Sequence, residues 1–347
     1  MSLKQLCLAV SCGLLLHTAW AQNYPSKTVR IIEPAGPGSA VDVFARKLTP
    51  GLADKFGQSV VVENRPGGNS AIGAREAARS APDGHTLFHA NINNSLNDIL
   101  TNDACCRLNE ALVPVTLLTS TPLVMVAHPS LGVKTWKEYL ALAKSQPQLL
   151  TFASGGTGSI TQLLGVKINM MAGLTVREIP YKAIGAELPD LMAGHVATAY
   201  LAPVVVAQHI RSGKLVALGV AGARRIPILP DVPTLAEAGL PDAEASGWNG
   251  LFVPAGTPKA IIQKLQAEVS AIMEAPAFKA EALSLGYELG ADFVDLDDGL
   301  ALVVVARDHA ADAGGFHGES FVEVEGYSAL ILASLITRPH LATSDLM

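Results

Sequence analysis

Apolar positions along this chain recur with two periods, and the switches between them outline its elements. Val29-Arg-Ile-Ile-Glu33 is a β-branched run ended by Pro34, which predicts a strand. Ala35-Gly-Pro-Gly38 can turn tightly and Ser39 suits a helix N-cap. Val41, Phe44, Ala45, Leu48 and Leu52 then fall on one helical face. Ser59-Val-Val-Val-Glu63 is a second strand, Asn64-Arg-Pro-Gly-Gly-Asn-Ser70 is loop chemistry, residues 71–81 read as a helix and residues 86–90 as a third strand. Strands alternating with helices predict a parallel α/β sheet.

The same unit returns further on. Residues 149–153 predict a strand that runs into Ser154-Gly-Gly-Thr-Gly-Ser159, followed by a helix with Ile160, Leu163, Leu164, Ile168 and Met171 on its apolar face. Strand, glycine-rich turn and helix thus occur twice, about 120 residues apart, which suggests one copy per domain. Between them, residues 113–118 and 123–127 are apolar runs around Thr119-Ser-Thr-Pro122. After them, residues 176–180, 195–201 and 215–221 predict strands and residues 188–193 a short helix. Pro227, Pro230 and Pro233 mark a stiff connection, a candidate for the return crossing between domains. Residues 248–253 are the last clear strand, before an amphipathic helix over 259–273.

Composition narrows the class. With 347 residues the chain can bury a large core, and two domains are the default. Hydrophobic residues make up 49% and charged residues 16%, so long disordered tracts are not expected; a net charge of −6 argues against a nucleic-acid surface. No apolar run reaches the roughly 18 residues of a membrane span. Lys4, the apolar stretch 6–16 and Ala19-Trp-Ala21 together read as a signal peptide over residues 1–21. Cys7 and Cys12 leave with that segment, and the adjacent Cys105 and Cys106 have neither disulfide nor metal spacing.

Four kinds of chemistry can be weighed. Gly36-x-Gly38-x-x-Val41 with Glu63 resembles a dinucleotide fingerprint, but Val41 stands at the third glycine position, Pro37 interrupts the turn and the chain is read as exported. Ser39, Ser154 and Ser159 lack a nucleophile elbow or an evident His–Asp pairing. His85 and His89 are too far apart on a strand to share an ion. Capture of a carboxylate or phosphate by backbone N–H groups at two helix N-termini, aided by hydroxyls and Lys182, fits the repeated turn best. Asn91-Ile-Asn-Asn-Ser95, at a strand's C-terminal end, reads either as ligand contacts or as a helix cap and solvated loop.

Several blocks carry a family resemblance: Tyr24-Pro-Ser-Lys27, Pro34 to Asp42 with Arg46, Glu63-Asn-Arg-Pro-Gly67, Ala81-Pro-Asp-Gly84, Pro180-Tyr-Lys182, Leu229-Pro-Asp-Val-Pro-Thr234 and Pro254-Ala-Gly-Thr-Pro258. With these the chain, over roughly residues 22–290, resembles the Bug family, the periplasmic substrate-binding proteins of tripartite tricarboxylate transporters (TctC-like). The resemblance implies a two-domain α/β Venus-flytrap fold with parallel-rich sheets. Domain 1 would comprise 22–122 and 248–347, and domain 2 residues 123–247. It implies a monomeric, non-enzymatic periplasmic protein without cofactor, metal or catalytic residue, which binds a small organic carboxylate and delivers it to membrane subunits. A sensing role or an enzyme on the same fold are the alternatives. Carried over by position, the ligand site comprises Gly36, Gly38, Ser39, Ala40, Asp42 and Asn91 from domain 1, and Ser154, Gly155, Thr157, Gly158, Ser159, Tyr181, Lys182, Ala183 and Ala202 from domain 2.

The chain also departs from that pattern. Pro37 removes one amide from the first turn, and Ala183 replaces a family glycine. Ala197 and Leu201-Ala202 replace polar positions, so a more apolar pocket is expected, suited to an aromatic or branched monoacid. From about Asp292 the pattern disappears. A shifted reading frame near Leu302 is one explanation, which the gene sequence decides.

Overall fold

The computed structural model describes residues 24–101, 108–182 and 185–290. The proposed signal segment, Cys105, Cys106, Ala183 and the tail from Asp292 lie outside the described residues. The first lobe opens with β1 (Val29–Glu33), α1 (Ala40–Phe56), β2 (Val60–Asn64), α2 (Ala71–Ala78), β3 (Thr86–Asn91), α3 (Ile92–Thr101) and the single turn α4 (Leu108–Ala111). The long strand β4 (Leu112–Ala127) leads into the second lobe. There follow α5 (Trp136–Ser145), β5 (Thr151–Ser154), α6 (Ile160–Ala172), β6 (Arg177–Pro180), α7 (Leu188–Met192), β7 (Thr198–Leu201), α8 (Pro203–Arg211) and β8 (Val216–Ala221). β9 (Ser246–Pro254) returns to the first lobe, and α9 (Lys259–Glu274), α10 (Pro276–Ser284) and β10 (Glu288–Leu289) complete it.

The strands run in the order β2-β1-β3-β9-β4-β7-β5-β6, with β10 and β8 also paired to β4. β1 is parallel to β2 and β3, and β5 is parallel to β6 and β7. β9 is antiparallel to both β3 and β4. This is a two-domain α/β architecture of the periplasmic-binding kind. β4 belongs to both sheets. Residues from Leu112 to Pro122 pair with β9, whereas Leu123 to Ala127 pair with β8, and Val124 to Ala127 also with β7. The two apolar runs expected around Thr119-Ser-Thr-Pro122 are therefore one sixteen-residue strand. Its pairing shifts register near Pro114, where the missing N–H is tolerated.

Side-chain alternation on β4 builds the second lobe's core on both faces. Leu123, Met125 and Ala127 join Trp136, Tyr139, Phe152 and Ile168 on one side, and Val124 and Val126 join Leu191, Val206 and Ile228 on the other. The proline-marked connection does not cross between lobes. Ile226, Ile228, Leu229 and Val232 are buried in the second lobe's core, because each proline is interleaved with an apolar anchor. The crossing back comes later, where Leu123 N–H donates to Ala245 O and Ala245 N–H to Ala221 O.

Helix α1 shows how a local sequence holds its element. Ser39 Oγ caps Asp42 N–H at 3.3 Å, Lys55 sits in the last turn, and Gly57 closes the helix at φ 62°. Pro50 inside the helix deprives Arg46 O of its i+4 donor, and the Thr49 hydroxyl donates to that carbonyl instead, at 3.0 Å. Phe44, Leu48 and Leu52 are buried beneath.

Gly165 marks the contact of α6 with β5. A methyl group there would lie 2.3 Å from Cε2 of buried Phe152. Gly165→Ala gains about 1 kcal/mol of helix propensity but overpacks the core at a cost of about 1–3 kcal/mol. A net loss in urea-unfolding stability is expected, and a stabilised variant would show that the helix can shift off the sheet without loss.

Candidate functional site

The two glycine-rich turns adopt one geometry. Gly38 and Gly158 both have left-handed backbone, at φ 80° and 75°. Ser39 and Ser159 follow as N-caps with φ/ψ of −65°/161° and −72°/152°, and donate their N–H groups to Gly36 O and Gly156 O. Each glycine N–H is taken by the side chain four residues on: Gly38 by Asp42 Oδ2 at 2.9 Å, and Gly158 by Gln162 Oε1 at 2.6 Å. The helical N–H groups of Ala40 and Val41 in α1, and of Thr161 in α6, have no partner among the described residues. Two helix N-termini thus offer donors of the kind that bind anions.

The turns differ in charge. Asp42 is buried and anionic. Burial pushes its carboxyl up, but hydrogen bonds from Arg46, Gly38 and Asn64 outweigh that and hold it below the usual range. Its partner position in the second turn is the neutral Gln162, which donates to Glu178 at 2.9 Å. Beneath the first turn, fully buried Glu33 accepts from Ala35 N–H at 3.1 Å and lies 2.7 Å from Nδ1 of buried His89. Burial pushes the Glu33 carboxyl up against the pull of His89. Neither His89 nor His85, which lies beside Asp83, belongs to a metal-binding group among the described residues.

The lobes meet across a small cleft. Ile160 N–H in α6 donates to Asn93 Oδ1 of α3 at 3.0 Å. A methyl group on Gly185 would lie 3.2 Å from Ser39 Cβ, and one on Gly158 2.9 Å from Leu100 Cδ1. Pro34, Ala35, Gly67, Asn69, Ser70 and Asn93 line the cleft from one side, and Gly155 and Lys182 from the other. Among the described residues the lining is mixed: Asn69, Ser70, Asn93 and Lys182 are polar, Pro34, Ala35, Gly67 and Gly155 are not, and Ala197 and Ala202 are not part of it.

Of the predicted site residues, Gly155 and Lys182 line this cleft, and Lys182 is exposed. Gly36, Gly38, Ser39, Ala40 and Asp42 form the first turn beside it, where Asp42 and Gly38 satisfy each other. Pro37 is exposed, and the amides without a partner among the described residues lie further on, at Ala40 and Val41. Asn91 is a brace: its N–H donates to Asn94 Oδ1, its Oδ1 accepts from Asn93 N–H at 2.9 Å, and its Nδ2 donates to Ser70 at 3.2 Å. The segment thus caps α3 with side chains that are buried rather than solvated, and one of them, Asn93, also lines the cleft. Ser154 is buried, donating to Glu178 at 2.5 Å, and Gly155 N–H is taken by Thr161 Oγ1. Thr157, Gly158 and Ser159 shape the second turn. Tyr181 directs its hydroxyl to Asp190 at 2.7 Å, and Ala202 is the N-cap of α8.

Asn93 belongs to the segment 91–95 that could be read as ligand contacts, whereas sequence reasoning missed Asn69 and Ser70. Their signal lay in the polar loop 64–70, where Gly67, Gly68, Asn69 and Ser70 have successive φ values of 121°, 56°, 50° and 77°. A left-handed serine is uncommon and asparagine less so, and such strain gathers at functional sites.

Fold and cleft together define a two-lobed substrate-binding protein. The family model described as tripartite tricarboxylate transporter family receptor (TctC) matches residues 44–291, and the chain belongs to that family. It is 36% identical to protein BugT of Bordetella pertussis over 259 residues, 74% of this chain and 79% of that one. It is also similar to the structure of MatC from Rhodopseudomonas palustris with bound malate, with 31% identity, TM-score 0.72 and coverage of 77% of this chain and 91% of that one. A second R. palustris protein, solved with adipate, shows 26% identity and TM-score 0.73 over 78% and 91% of the two chains.

Behind the Tyr181–Gly185 loop lies Glu187, fully buried, with no hydrogen-bond partner in good geometry for either carboxylate oxygen among the described residues. Burial pushes its carboxyl from 4.5 up to about 7, offset only in part by its own N–H and that of Gly185. The folded chain therefore holds an extra proton between those values. The stability of the neutral acid is fully present below pH 4.5 and is lost as pH rises towards 7. Relative to wild type, Glu187→Gln is expected to gain about 2 kcal/mol between pH 5 and pH 8. Urea unfolding of both proteins across that range checks this, and a pH-independent difference would refute it.

Proposed function

We propose that this protein captures a small carboxylate in the periplasm and delivers it to the membrane subunits of a tripartite tricarboxylate-type transporter. The observation that carries the reading is the pair of matching turns, one in each lobe, each with helix N–H groups that have no partner among the described residues, together with a cleft whose described lining includes Lys182 and no acidic side chain. Malate and adipate in the two related structures support a carboxylate as the ligand class. One end of the acid would take the amides of Ala40 and Val41 and the other that of Thr161, with Lys182 adding charge. Gly36, Thr157 and Ala183 would bound the site.

The function follows from binding without bond making. Lobe boundaries at the Pro122–Leu123 and Ala245–Ser246 steps place two strands between the halves. Small backbone changes there would open and close the cleft, and a ligand held by both lobes would favour the closed form. The Asn93–Ile160 bond would form only on closure and add to that preference. The closed form is the species a membrane partner would recognise.

Titration calorimetry with malate, adipate and the neutral diamide of adipate tests the ligand class. Acids that bind while the diamide does not are expected, and binding of the diamide alone would sink the reading. Lys182→Glu should weaken acid binding at least tenfold, an effect that shrinks as salt is raised, whereas unchanged affinity would remove Lys182 from the site.

A further inference from the structure

Among the described residues that line the cleft, one buried side-chain acceptor has no donor: Asn69 Oδ1. Its amide orientation is set by a neighbour. Asn97 Nδ2 donates to Gly68 O at 3.2 Å and to Asn69 O at 2.5 Å, so Asn97 Oδ1 faces Asn69 Nδ2, 3.3 Å away. Nδ2 is therefore the committed end of the Asn69 amide, and Oδ1 must be the free one. The backbone reinforces this placement: Asn69 is held at φ 50°, between Gly68 at 56° and Ser70 at 77°. Ser70 is anchored in turn through Asn91.

A buried acceptor without a donor is costly to leave unmade, and a ligand that supplies the donor recovers that cost. The amides and Lys182 all donate, and a plain carboxylate only accepts, so it would satisfy them and leave Asn69 Oδ1 empty. We infer that Asn69 makes the cleft selective for hydroxycarboxylates, the acid binding at the helix N-termini and its hydroxyl donating to Asn69 Oδ1. This rests on the carboxylate reading and adds the second group the ligand carries. An ammonium would also donate, but it would face the Lys182 charge and two helix N-termini, with no acidic side chain among the cleft residues to balance it.

The test uses acids that differ by one hydroxyl: malate against succinate, lactate against propionate, and 2-hydroxyglutarate against glutarate, measured by titration calorimetry on the full chain. In the best-bound pair the wild type is expected to hold the hydroxy acid at least tenfold more tightly. Asn69→Gly removes the acceptor while suiting the left-handed backbone. It should bring the two affinities within about threefold by weakening the hydroxy acid more than the plain acid. Equal affinities in the wild type, or a preference that survives Asn69→Gly, would overturn the inference while leaving the carboxylate reading standing. Preference for an amino acid such as aspartate over malate would overturn it as well. Binding of none of the acids would overturn both.

Discussion

The structure depends on one strand being shared. β4 pairs with β9 and β10 in the first lobe and with β7 and β8 in the second, so one run of backbone satisfies two sheets. Apart from Thr116 and Thr119-Ser-Thr121 its residues are apolar, because both faces are covered. The same pairing places the two crossings, β4 and β9, side by side. Anything that moves one lobe against the other must do so through the few residues around Pro122 and Ser246. There the antiparallel pairing of β4 with β9 ends and Leu123 N–H passes to Ala245 O.

From that frame, the site becomes a matter of which backbone amides are already used. In each turn the glycine N–H is taken by a side chain one helical turn on, the N-cap serine takes the third helical N–H, and the carbonyl of the glycine three residues before the serine takes the serine's own. The donors that remain are those at the start of each helix. The first lobe stabilises its turn with a charge, Asp42, offset by Arg46 and Asn64, and the second does so with the neutral Gln162 and Glu178. This difference matters for an anionic ligand, because Asp42 would repel it were its charge not already spent on Arg46 and on its own turn.

The buried acids Glu33 and Glu187 show where sequence reasoning stops. Glu33 ends a strand and looked like any polar residue at a turn, yet His89, fifty-six positions on, meets it in the core. Glu187 sits before a short helix and has no charged partner among the described residues, so burial decides its proton against the weaker pull of two backbone N–H groups. Neither fact has a local signature. The same holds for Asn93, whose bond to Ile160 spans sixty-seven positions and both lobes.

The strands, the helices and the repeated glycine turn were legible in the sequence because period, caps and turn chemistry are local. The family blocks followed the same local order, and the family they pointed to is the one the chain belongs to. Tertiary structure alone decided that two apolar runs form one strand and that the proline-rich connection stays within the second lobe. It also decided that Asn91 spends its side chain on Ser70 and Asn93, and that Asn69 reaches the cleft. The physical reason is common to all four. Each depends on which distant group occupies a backbone or side-chain hydrogen bond, and periodicity along a chain carries no record of partners that arrive from elsewhere in the fold.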